Sequence, residues 1–118
     1  MKKIIALGLS ALVACSAAGC SGGNGSSNSS DTFSTAMVTD TGGVNDQSFN
    51  QSAWEGLQKF SKETNAKVSY LESTQATDYE TNMDKLADQD CNLIWGIGYA
   101  MADSLAAAAK RNPNTLYA

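Results

Sequence analysis

Eleven consecutive residues, Asp40-Thr41-Gly42-Gly43-Val44-Asn45-Asp46-Gln47-Ser48-Phe49-Asn50, hold most of the chemistry in this chain. They combine carboxylates at Asp40 and Asp46, amides at Asn45 and Asn50, a turn-forming glycine pair and an aromatic ring at Phe49. An ionised carboxylate only accepts hydrogen bonds, so such a loop suits a ligand that presents N–H or O–H groups. Each residue also has a plainer reading. Asp46 sits where a helix N-cap is expected. Phe49 lies four residues before Ala53, on the inner side of the predicted helix, where spacing alone reads as core packing. Asp40 differs, because a carboxylate that ends a buried strand needs a partner or water. The chain has no histidine, which excludes from this segment a Ser-His-Asp triad, and its isolated Cys91 cannot build a zinc or copper site. No metal or cofactor is expected.

The elements around the loop follow from periodicity. Thr35–Thr39 reads as a short buried strand ended by Asp40 and Gly42-Gly43. A helix is predicted over 46–64, with Ala53, Trp54, Leu57 and Phe60 on one face. Lys67–Leu71 is a second strand. Thr77-Asp78-Tyr79-Glu80 has the form of a capping box, opening a helix on which Tyr79, Met83 and Leu86 share a face. Asn92–Ile97 is a third strand, and Met101–Lys110 a third helix stopped by Asn112-Pro113. Leu116-Tyr117-Ala118 begins a fourth strand. Strands alternating with helices predict an α/β fold: a parallel sheet with helices on both faces. Ligands of open α/β sheets bind outside the carboxyl ends of the strands, which here means the loop after Asp40, Glu72–Gln75 and Gly98–Met101. Gly96-Ile97-Gly98-Tyr99-Ala100-Met101 is a poor dinucleotide fingerprint, since Met101 takes the place of the third glycine.

The N-terminus has a different organisation. Met1-Lys2-Lys3 is basic, Ile4–Ala14 is almost wholly apolar, and Ser16–Gly19 supplies small residues before a cysteine: the layout of an exported signal, predicted over 1–19. The apolar stretch is shorter than the roughly 20 residues a spanning helix needs. Two cysteines, Cys15 and Cys20, follow lipobox-like runs; Leu12, three positions before it, favours Cys15, whereas the length of the apolar core and the immediate change to Ser and Gly favour Cys20, the expected lipidation site. Residues 20–32 then form a Ser/Gly/Asn-rich tether, with a reach of about 20 Å. A diacylated cysteine would anchor the chain stably to a membrane. Signal removal takes Lys2 and Lys3 with it and moves the formal charge from −4 to −6, which argues against nucleic-acid binding. Cys91 reads as a small buried hydrophobe.

Met37-Val38-Thr39-Asp40 and the run from Gly42 to Leu57 closely resemble the basic membrane protein (BMP) family of purine-nucleoside-binding lipoproteins, the substrate receptors of ABC importers. Tyr70-Leu71-Glu72-Ser73, Gly96-Ile97-Gly98-Tyr99 and Asn112-Pro113 fit the same pattern, so the resemblance covers residues 33–118. It implies the first lobe of a type I periplasmic-binding-protein fold, truncated here because the family is roughly three times as long. It implies further that Asp40 hydrogen-bonds the purine edge and that Phe49 stacks on the base. Asn45, Asp46, Asn50 and Tyr99 would line the same rim, with Tyr99 standing where the family usually has Phe. The expected partners are a purine nucleoside, an ABC permease and, through the lipid, the membrane on its extracytoplasmic face. A sugar receptor of the same fold, a secreted doubly wound hydrolase and a host-interaction lipoprotein are the competing readings.

Overall fold

The computed structural model describes residues 32–118. The expected signal peptide, Cys15, Cys20 and the tether up to residue 31 lie outside the described residues.

Four strands, β1 (Ser34–Val38), β2 (Lys67–Leu71), β3 (Leu93–Gly96) and β4 (Leu116–Tyr117), form one sheet in the order β2-β1-β3-β4. Every pairing is parallel, with Val38 opposite Leu71 on one side and Gly96 on the other. Three helices connect them: α1 (Phe49–Thr64), α2 (Asp78–Asp88) and α3 (Ala102–Arg111), the last preceded by a short 3-10 turn over Tyr99–Met101. This is the predicted alternation. The order also shows a reversal, since the chain leaves β1 toward β2 but leaves β3 toward β4, in the opposite direction.

Alternation along β1 divides the interior into two layers. Ala36 and Val38 meet α2 and α3 in a core with Tyr79, Met83, Leu86, Ile94, Met101 and Ala108. Tyr79, Met83 and Leu86 are all buried, as their shared face predicts. Cys91 joins this core, and burial pushes its thiol pKa up, so it is held as an uncharged small hydrophobe. Gly96 lets the layers close: a Cβ there would stand 2.8 Å from Leu105 Cδ1 and 3.2 Å from Met83 Cε.

Helix α1 covers the opposite face less deeply. Trp54 meets Tyr70 edge-on at 4.8 Å between ring centroids, and Phe60 meets Phe33 at 6.3 Å. Asn50 is its one buried residue, and the predicted apolar face is only partly covered. Alongside it runs an apolar groove of about 500 Å³ between Leu57 and Phe60 of the helix and Leu93, Trp95 and Ile97 of the sheet.

Two helix starts differ from the sequence expectation. Helix α1 begins at Phe49 rather than at Asp46, because Gln47 adopts a left-handed backbone (φ 53°) and Ser48 is not helical either (φ −143°, ψ −131°). The capping box at Thr77 does not form. Thr77 is already helical (φ −67°, ψ −14°) and its hydroxyl caps nothing, whereas an N-cap needs an extended backbone. Asp78 instead closes the turn before the helix, its Oδ2 accepting from the Thr74 amide (3.0 Å), the Thr74 hydroxyl (2.9 Å) and the Gln75 amide (3.2 Å). Those bonds, the Thr74 hydroxyl's first, hold the Asp78 carboxyl below its usual range.

Candidate ligand-binding site

The divergence of the chain between β1 and β3 opens a crevice at their carboxyl ends, the switch point at which open α/β sheets hold ligands. A cleft of about 490 Å³ lies there, lined by Asp40 and Phe49 from the first loop and by Gly96, Ile97, Gly98, Tyr99 and Ala100 from the third. Segments more than forty residues apart in sequence thus meet because their strands are neighbours.

Phe49 is 79% exposed, and the core-packing reading of this ring is overturned. The late start of α1 is the cause. Phe49 is the first helical residue and lines the crevice beyond the strand ends, whereas a helix from Asp46 would have carried it a turn further in. Tyr99 is 97% exposed across the cleft, on the 3-10 turn.

Asp40 ends β1 with its two oxygens in different roles. Oδ1 accepts from the Gly42 amide and from Asn50 Nδ2, each at 2.8 Å. Oδ2 has no hydrogen-bond partner among the described residues and faces Gly98, where a Cβ would lie 3.5 Å away. Gly98 has φ 110° and ψ 143°, a backbone region that side chains rarely tolerate, so its backbone can edge the cleft without adding bulk.

The remaining rim residues divide. Asp46 accepts from the amides of Ser48 (2.8 Å), Asn50 (3.1 Å) and Gln51 (3.0 Å) and from Asn50 Nδ2 (2.9 Å). It therefore satisfies the open amides at the start of α1 from two positions before the formal N-cap, Ser48. Partial loss of hydration raises its pKa, but the Gln51, Ser48 and Asn50 donors outweigh that and hold Asp46 below the usual carboxylate range. Asn50 is 1% exposed, beneath the loop rather than on its rim, and its Oδ1 is buried without a partner. Asn45 is exposed.

Sequence reasoning passed over the supports behind the loop. Glu72, at the end of β2, accepts from the Val44 amide at 2.8 Å and so ties the first loop to the neighbouring strand. Beneath it, Asn82 Nδ2 donates to the Glu72 carbonyl and to Ser73 Oγ, both at 3.1 Å, and the Ser73 amide reaches Thr39 Oγ1 at 3.3 Å. The position of Glu72 at a strand end was the available signal. Asn82, inside α2, gave none.

A parallel α/β domain offering a free acceptor oxygen, an exposed ring and a glycine backbone at its switch point is a ligand-binding module of the doubly wound class. Residues 33–118 match the family described as ABC transporter substrate-binding protein, PnrA-like, and the chain belongs to this Bmp family. It is 43% identical over 122 residues to the ABC transporter nucleoside-binding protein BmpA of Lactococcus lactis, covering 97% of this chain and 35% of that protein. A CD4+ T-cell-stimulating antigen of Listeria innocua is 41% identical over 129 residues, covering 99% and 36%. The chain therefore spans about a third of the length of the curated relatives it matches. Among solved structures, an ABC transporter solute-binding protein from Aeropyrum pernix superimposes with a TM-score of 0.65 at 26% identity, over 72% of this chain and 23% of that one. The expected family and fold class are thereby established, as part of a larger binding domain.

Proposed function

We propose that this chain is the N-terminal part of an extracytoplasmic lipoprotein that captures purine nucleosides for an ABC importer. The observation that carries the reading is the pairing of an exposed Phe49 ring with Asp40 Oδ2 in one cleft. A flat heterocycle stacked on Phe49 gains on the order of 1–3 kcal/mol per base. Asp40, accepting only, favours a base edge that presents N–H. The name of the Lactococcus relative, a nucleoside-binding protein, agrees with this chemistry. Tyr99, from the opposite side of the cleft, adds a second ring with a hydroxyl to the rim. Asn45 stands exposed beside them, and Asp46 acts by shaping the loop. No bond is made or broken. The ligand is gripped when a second lobe closes over it by hinge motion and is then delivered to a membrane permease. Cys20, diacylated after removal of residues 1–19, tethers the receptor to the outer face of the cell membrane through the Ser/Gly/Asn run.

Binding of inosine, guanosine, adenosine and simple sugars to the full-length protein, followed by calorimetry, tests the ligand class. Binding of nucleosides is expected. Binding of sugars alone would refute the assignment, and conversion of a nucleoside to base and ribose would identify a hydrolase instead. Labelling with radioactive palmitate tests the anchor: incorporation lost in Cys20→Ala but kept in Cys15→Ala is expected, and the reverse pattern would move the anchor to Cys15.

A further inference from the structure

We infer that Asn50 is a positioning residue, which fixes Asp40 so that one chosen oxygen meets the ligand; this rests on the nucleoside reading of the same cleft. Asn50 is almost wholly buried and cannot itself be part of an open rim. Its side-chain nitrogen donates one hydrogen to Asp40 Oδ1 at 2.8 Å and the other to Asp46 Oδ2 at 2.9 Å. With both N–H bonds committed, this amide bridges two acids that would otherwise face each other without a donor between them. The Gly42 amide completes the clamp on Asp40 Oδ1, so Oδ2 is the oxygen left toward Gly98 and the cleft. The backbone of Asn50 is fixed as well, because its own amide donates to Asp46 at 3.1 Å.

A pure packing role would explain the burial but not this pattern. Burying an amide whose Oδ1 finds no partner is costly, and an apolar residue of the same size would avoid that cost. What an apolar residue could not do is direct a carboxylate. Asn50 therefore sets ligand affinity through Asp40 and has no ligand contact of its own.

The test is a double-mutant cycle in the full-length protein, with inosine affinity measured for wild type, Asn50→Ala, Asp40→Ala and the double variant. Asn50→Ala is expected to weaken inosine binding about tenfold, in line with loss of a charge-assisted hydrogen bond. In the Asp40→Ala background the same change should have no further effect. Losses that multiply, or an Asn50→Ala variant that binds as wild type, would overturn the assignment. Asn50→Ser, which keeps a single donor, is run through the same cycle if the alanine variant fails to fold.

A ligand-free measurement separates this inference from the nucleoside reading. Hydrogen exchange at the Gly42 amide should accelerate in Asn50→Ala, while exchange at Val44, held independently by Glu72, stays as in wild type. That result in a protein that ignores inosine would leave Asn50 as the residue that orients Asp40 and remove the nucleoside. Unchanged exchange at Gly42 would remove Asn50 from the role whatever the ligand.

Discussion

Replacing Phe49 by alanine separates affinity from stability. The ring is 79% exposed, so its removal takes little apolar surface out of the interior. Alanine also suits the first position of a helix, and substitutions at such surface positions usually stay within about 0.5 kcal/mol. Binding should respond quite differently. If a purine stacks on this ring, the variant loses on the order of 1–3 kcal/mol of stacking. At about 1.4 kcal/mol for each factor of ten, that corresponds to a fall in affinity of roughly 5- to 150-fold. Calorimetric titration with inosine gives the affinity, and denaturant unfolding of the same preparation gives the stability. Phe49→Leu, still apolar but without a π face, should recover only part of the loss. Wild-type affinity in Phe49→Ala would refute the stacking argument. A large loss of stability would show that the ring packs inward in solution.

Other perturbations address the scaffold. Met83 is wholly buried in the core that α2 and α3 form against the sheet, and Met83→Ala should destabilise the fold by about 2–5 kcal/mol in denaturant titration. Gly98→Ala forces a side chain into a backbone with φ 110°; strain of about 1–3 kcal/mol is expected, seen as weakened nucleoside binding together with a lower melting temperature. Asp46, whose carboxyl lies below its usual range, stabilises the fold fully above an unfolded pKa of about 3.9 and loses that contribution as pH falls through its lower folded value. Acid unfolding curves of wild type and Asp46→Asn should therefore converge in strongly acidic solution and separate above pH of about 4, with the variant the less stable.

The sheet was legible from the sequence because its signals are local. Thr35–Thr39 and Lys67–Leu71 are short apolar or β-prone runs ended by polar loops, and Tyr79, Met83 and Leu86 repeat at helical spacing. The Asp40–Asn50 loop stood out for its composition, and its place at the end of β1 was enough to mark it as a site. What could not be read there was the start of α1. Nothing in Gln47 announces a left-handed backbone, yet that one angle delays the helix to Phe49 and leaves the ring in the crevice. Thr77 failed for a related reason: the capping pattern was present, but the turn from Thr74 had already brought the chain into helical angles, and Asp78 was engaged elsewhere. Asn50 shows a third kind of limit. Its residue type suits an exposed rim, and only the packing of the loop over it reveals a buried bridge between two acids.

The first loop is shaped almost entirely by side-chain acceptors. The amides of Gly42, Val44, Ser48, Asn50 and Gln51 end on Asp40, Glu72 or Asp46. Fixing one residue of backbone costs about 1–2 kcal/mol in entropy, and in this loop that cost is met when the chain folds, before any solute arrives. An incoming molecule finds this wall of the cleft already set, so the contacts it makes need not order the loop.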